Sequence, residues 1–154
     1  MNDILVRRVH ADDAVALWQW RNDLETRRNS VSTAELSLPE HMSWFEASLT
    51  NPARIIYVTE LHGKKCGSVR FDLIDIDKNL WRVSIVMSPE CRGMGLGRAS
   101  LSLACAEMDR CYSHCSYTAE TRRFNAPSRR VFEHCGFYPT SETDDFITLS
   151  RFTS

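Results

Sequence analysis

Three glycines, Gly93, Gly95 and Gly97, stand within five residues, with Arg92 before them and Arg98 after. The apolar run at 81–87 ahead of them reads as a strand. Behind them Leu101, Ala104, Cys105 and Met108 are apolar at helical spacing. A glycine turn between a strand's end and a helix's start leaves main-chain N–H groups unpaired and aimed at one point, where the helix dipole favours negative charge. Without a Cβ, such a turn lets a phosphate approach the main chain. The flanking arginines can add charge-assisted hydrogen bonds. The pattern is that of a pyrophosphate cradle. A P-loop would end in Gly-Lys-Ser/Thr, and here Gly97 is followed by Arg98-Ala99. A dinucleotide fingerprint would run G-x-G-x-x-G and place a ribose-binding acid further on; this stretch gives G-x-G-x-G and no clear acid.

The elements that must position this turn can be read along the chain. Residues 4–9 alternate weakly, as a first strand does. Asp12-Asp13 put acid at a helix start that Ala14, Leu17, Trp18 and Arg21 continue. Residues 27–36 read as loop. Ser37-Leu38-Pro39-Glu40 is a capping-box pattern, and Leu38, Met42, Phe45 and Leu49 form the expected buried stripe of the helix it opens. Strands at 55–60 and 66–71 are joined by a glycine-bearing hairpin loop. After the turn and its helix, 116–120 is strand-like, Asn125 caps a helix that Gly136 stops, and 137–138 and 146–152 complete the strands. The order is strand, helix, helix, three strands, helix, strand, helix, two strands. No repeat or linker splits it, so 1–154 reads as one domain.

Bulk properties exclude several classes. A net charge of -1 argues against a nucleic-acid binder, which would need a strongly basic face. No run of 18 uncharged apolar residues exists, so no membrane span is expected. The amino terminus lacks a signal-peptide pattern, so a cytoplasmic location and reduced thiols are the expectation for the six cysteines. Cys111, His114 and Cys115 lack the second ligand pair of a zinc site, so no metal is expected.

Arg92, Gly95 and Gly97, spaced as Arg-x-x-Gly-x-Gly after Met87-Ser88-Pro89-Glu90, resemble the acyl-CoA-binding motif of GNAT-superfamily N-acetyltransferases. Asn125, Ser128, Phe132-Glu133 and Gly136-Phe137 are similar to that family's terminal helix-and-turn motif. The resemblance spans nearly the whole chain. It implies an α+β (α/β/α) fold, with a mixed, mostly antiparallel sheet of six to seven strands and about four helices. It also implies acetyl transfer from acetyl-CoA to a primary amine by direct attack in a ternary complex. On it, the backbone N–H of Met87 faces the acetyl oxygen, and Arg92, Gly93, Gly95, Leu96, Gly97 and Arg98 hold the pyrophosphate. Asn125 meets the pantetheine arm while also capping its helix. Glu120, if partly buried, is the candidate base. Phe132 stands where many relatives carry a proton-donating tyrosine, which leaves Ser128, and more weakly Tyr138, to protonate the thiolate.

The stretches 20–23, 39–41 and 44–45 resemble a branch that acts on nucleotide-linked aminosugars. On that likeness Arg21, Asn22 and Trp44 are candidate acceptor contacts. Trp44 could equally be core, and the pairs Arg27-Arg28 and Arg122-Arg123 either contact a diphosphate or are solvated surface. A protein N-terminus, a polyamine or an antibiotic are alternative acceptors, an acetyl-CoA-binding sensor is the non-enzymatic one, and a homodimer is compatible with so small a domain.

Overall fold

The computed structural model describes residues 3–153. It runs β1 (Ile4–Arg8), a 3-10 turn (Ala11–Asp13), α1 (Ala14–Asn22), α2 (Leu24–Asn29), α3 (Leu38–Leu49), β2 (Arg54–Leu61), β3 (Lys64–Asp75) and β4 (Leu80–Met87). A second 3-10 turn (Pro89–Cys91) leads to α4 (Leu96–Tyr112), β5 (Ser116–Arg122), α5 (Ala126–His134), β6 (Tyr138–Glu142) and β7 (Phe146–Arg151). One seven-stranded sheet results, in the order β1-β2-β3-β4-β5-β7-β6. Each neighbouring pair is antiparallel except β4 and β5, which the crossover helix α4 makes parallel.

Strand alternation divides the core. Ile55, Tyr57, Val69, Phe71, Trp81 and Val83 point to the face covered by Leu101, Ala104, Cys105 and Met108 of α4, with Phe132 and Phe137 beside them. Ile56 and Val58 point to the other face, against Ala14, Leu17 and Trp20 of α1 and Phe45 of α3. The stripe read for α4 is thus buried as expected. His62 and Gly63, both at positive φ, make the tight turn between β2 and β3. Among the described residues no helix is long and apolar enough to cross a membrane.

Two local expectations need correction. Part of 27–36 is helical: α2 is capped by the Asp23 carboxylate, which accepts from Thr26 N–H. Its sequence, LETRRN, has no apolar face and none of its residues is buried, so periodicity gave no sign of it. In α3 the capping box forms, but the buried face is His41, Phe45 and Ser48, while Leu38 and Leu49 are exposed. The helix presents polar side chains to the sheet, because it borders a charged cavity described below.

The docking of α1 depends on a buried carboxylate. Asp13 is inaccessible to solvent and is held by both Arg7 nitrogens (2.9 and 3.0 Å), by Lys65 (2.8 Å) and by the His10 N–H (2.7 Å). Arg7 also donates to Glu60 at 2.6 Å. Burial by itself would push the Asp13 carboxyl up, but the hydrogen bonds from Arg7, Lys65 and His10 hold it well below the usual carboxylate range. A carboxylate depressed on folding stabilises above its unfolded value of about 4, and that stability is lost as pH falls below it. Asp13→Ala is therefore expected to cost about 3 kcal/mol in a urea titration at neutral pH. The same variant should flatten the decline in stability that the wild type shows below about pH 4.

Candidate active site

β4 and β5 pair over only three positions, Leu80 with Ser116, Trp81 with Tyr117 and Arg82 with Thr118. Beyond Arg82 they part, and the rest of β4 faces a gap. The Ser88 N–H bonds back to the Cys66 carbonyl of β3 at 2.7 Å. Alternation along the strand then turns the Met87 N–H away from β3, towards that gap. Gly67 lies opposite Met87, and a Cβ there would stand 2.6 Å from the Val86 carbonyl oxygen, so only glycine lets the end of β4 lie this close.

The glycine turn follows directly. Gly93 (φ 75°) and Gly95 (φ 73°) are left-handed, and no atom lies within 4 Å of where a Cβ would stand on either. The first helical bond of α4 joins Ala99 N–H to the Gly95 carbonyl, so the N–H groups of Leu96, Gly97 and Arg98 precede the helix's own acceptors. Leu96 is buried with Cys66 and Cys91, which anchors the turn to β3. The Arg98 side chain is exposed. An open, glycine-walled ring of N–H donors at a 17-residue helix's start fits a diphosphate.

Arg92, expected in the phosphate set, meets α2 in this structure. Its guanidinium bonds Asp23, Thr26 Oγ1 (2.9 Å) and Glu25 (3.0 Å), so it is taken up by α2. The Arg92 guanidinium also holds the Asp23 carboxyl below its usual range. Asn22, an expected acceptor contact, pins a loop: its amide donates to the Leu36 carbonyl (2.6 Å) and accepts from the Leu36 N–H (2.8 Å). Arg122 acts likewise, donating to the carbonyls of Ser30 and Val31. Glu120 lies on β5 beyond the split, and it is exposed rather than partly buried. Asn125 caps α5 by accepting from Ser128 N–H at 3.3 Å, and the half-buried Ser128 hydroxyl has no partner among the described residues. Phe132 is buried against Phe137, whereas Tyr138 is exposed on the edge strand β6.

On the opposite face of β4, Arg21, His41, Trp44, Arg70, Ser84 and Val86 line a cavity of about 50 Å³. Trp44 stacks against Arg54 (5.1 Å) and Arg70 (5.4 Å). His41 donates from Nε2 to the Ala14 carbonyl at 2.8 Å, and burial pushes its imidazolium down, so the ring is neutral at pH 7. Arg70 and His41 were not singled out from sequence. The available sign was an arginine on a strand position between buried Val69 and Phe71. A wider groove of about 420 Å³ runs past Trp18, Asp23, Glu35, Ser88 and Glu90. Among the described residues His10, Asp12 and Asp13 are the one convergent trio of metal-capable side chains, and Asp13 is already committed to Arg7 and Lys65.

A parallel pair that splays at a glycine turn defines a class of acyl-CoA-dependent enzymes, and comparison with known proteins agrees. Residues 3–138 match the acetyltransferase (GNAT) domain family, and the chain belongs to that family. It is an acetyl-CoA-dependent N-acetyltransferase, with acetyl-CoA as co-substrate. Similar solved structures include a spermidine N-acetyltransferase from Vibrio cholerae in complex with CoA and spermine, with a TM-score of 0.90, 16% identity, and 99% of this chain and 97% of that one covered. RimL, a ribosomal L7/L12 alpha-N-protein acetyltransferase in complex with coenzyme A, gives a TM-score of 0.86 at 14% identity, covering 99% and 96%. A domain from Methanocaldococcus jannaschii gives 0.82 at 20%, covering 97% of each. No curated protein sequence matches the chain.

If Arg92 serves α2 and not phosphate, Arg92→Gln should speed hydrogen exchange of the 24–29 amides about tenfold. CoA affinity by calorimetry should stay within about threefold of wild type.

Proposed function

We propose that the chain acetylates a primary amine on a nucleotide-linked aminosugar, with the Met87 N–H as the group around which the reaction is arranged. What supports acetyl transfer is the end of β4, where the Ser88 N–H bonds the Cys66 carbonyl and alternation turns the Met87 N–H towards the gap, one short loop before the glycine turn. The likeness of 20–23, 39–41 and 44–45 to the aminosugar branch supports the acceptor. In this reading Gly93, Gly95, Leu96, Gly97 and Arg98 hold the pyrophosphate of acetyl-CoA by main-chain donors and one guanidinium. Asn125, its oxygen spent on the cap, offers its amide NH₂ to the pantetheine arm. Acetyl-CoA supplies the acetyl group as a thioester.

The amine nitrogen bonds to the carbonyl carbon, and Met87 N–H donates to the oxygen as it gains negative charge. Glu120, or a water it holds, takes the amine proton. The C–S bond then breaks, and the Ser128 hydroxyl donates to the leaving sulfur. Arg21 and the half-buried Trp44 contact the acceptor from the sheet's other face.

A polyamine is the second reading, favoured by the groove in which Asp23, Glu35 and Glu90 gather. Two of those carboxylates are already neutralised, Asp23 by Arg92 and Glu90 by Lys64, which weighs against it.

The test is thiol release from acetyl-CoA with a panel of amines. A UDP-linked 4-amino sugar should release thiol, while spermidine and amino-terminal peptides should not. CoA binding without thiol release by any amine would instead mark a sensor. Ser128→Ala should lower turnover about tenfold while CoA affinity changes less than about twofold. Unchanged turnover would assign thiolate protonation to solvent.

A further inference from the structure

The cavity behind β4 carries more positive charge than its neighbours cancel. Asp72 is shared between Arg54 (2.6 Å) and Arg70 (3.0 Å), so one carboxylate answers two guanidiniums. Arg21 lines the same cavity, and its side chain has no anionic partner among the described residues. Burial, with the charges of Arg54 and Arg21 nearby, pushes the Arg70 guanidinium down despite Asp72. His41, neutral and committed to the Ala14 carbonyl, adds no negative charge. The Arg70 guanidinium lies over the Trp44 ring, 5.4 Å from its centre, and Ser68 and Ser84 supply hydroxyls to the same cavity.

We propose that this cavity is the seat of an oxyanion, a phosphate or carboxylate group of the amine acceptor, held between Arg21 and Arg70. The proposal rests on the acetyl-transfer reading and narrows its acceptor to amines that also carry an anion. Size sets how much of the acceptor enters. A water needs roughly 10–15 Å³ of such space, so about 50 Å³ admits a group of a few heavy atoms and not a nucleoside. Only the charged end fits, and the remainder lies outside. Reach is also set: Ser84 and Val86 line the cavity, and at about 3.3 Å per residue Met87 lies within roughly 10 Å along the same strand. An acceptor seated by its oxyanion would therefore carry its amine a short span away, towards the end of β4. A polyamine, cationic at every nitrogen, would meet two guanidiniums here and be repelled.

The experiment is a calorimetric titration of protein first saturated with CoA, so that the glycine turn is filled. Inorganic phosphate, UDP and succinate are then added separately, with spermidine as the cationic control. At least one of the three anions should bind, and which one does so separates a phosphoryl group from a carboxylate. Its affinity should fall about tenfold or more in Arg70→Gln and in Arg21→Gln, with CoA affinity unchanged. Arg21 makes no hydrogen bond through its side chain among the described residues, so Arg21→Gln keeps the test open should Arg70→Gln fail to fold. Absence of anion binding by the CoA-loaded wild type, or equal anion affinity in the folded variants, would overturn the proposal. So would spermidine binding that the anions displace. Failure of the first step, with no CoA bound, would strike the acetyl-transfer reading itself.

Discussion

The structure turns on an incomplete pairing. After Arg82 and Thr118 the parallel strands β4 and β5 stop exchanging hydrogen bonds, though both continue for several residues. Main-chain groups left without partners inside a sheet cost on the order of 1–3 kcal/mol each where water cannot reach them. Such a gap persists only if surrounding contacts force it and something polar answers it. Here the forcing contacts are visible. β4 is paired with β3 through Gly67, and Leu96 is buried behind the turn that follows. β5 is drawn the other way by β7, which pairs with it from Tyr117 to Arg122. The sheet opens because each strand is better satisfied by its outer neighbour.

α2 is tethered from both strands that border the opening. Arg92, just past β4, bonds the amino-terminal half of α2, while Arg122, at the end of β5, bonds the carbonyls that follow it. An arginine beyond β4 thus holds the start of this short helix, and the arginine that ends β5 holds the chain just after it. A six-residue helix with no buried side chain has little stability of its own. Its position is fixed by these two guanidiniums and by the clasp of Asn22 and Trp18 on Leu36. The wall of the acceptor side is therefore coupled to both edges of the donor gap.

Legibility in the sequence followed the range of the interaction involved. The Ser37 and Asn125 caps and the Gly136 stop have partners within four residues, while the glycine turn and the α4 stripe show as local spacing, so each is readable. By type, Arg92 and Asn22 suit phosphate or sugar, and Arg122 suits a diphosphate or a solvated surface. Their partners lie 14 to 92 positions away, in segments that carry no periodic signal. The same reason hid Arg70, whose neighbours Trp44, Arg54 and Asp72 come from three elements. In α3 the apolar count favoured Leu38 and Leu49, but the helix rotates His41 inward, where the Ala14 carbonyl satisfies its ring. A buried hydrogen bond outweighed the exposure of two leucine edges. Glu120 was placed correctly on its strand, yet its exposure depends on how far β4 has moved away.

Charge follows the same division between global and local. The chain as a whole is close to neutral, at -1, a figure that speaks against nucleic acid. It says nothing about the acceptor, because the charges are sorted by element. Two of the three carboxylates along the groove at Ser88, Asp23 and Glu90, face arginine and lysine partners, so most of their field is spent. Guanidiniums behind β4 outnumber the one carboxylate between them, and the apolar walls formed by Leu17, Ile56 and Val86 keep their field from being screened. A ligand meets the unspent field, not the sum. The two sides of β4 then share one electrostatic character: main-chain N–H groups of the glycine turn on one, guanidiniums on the other, with Met87 at the strand's end between them.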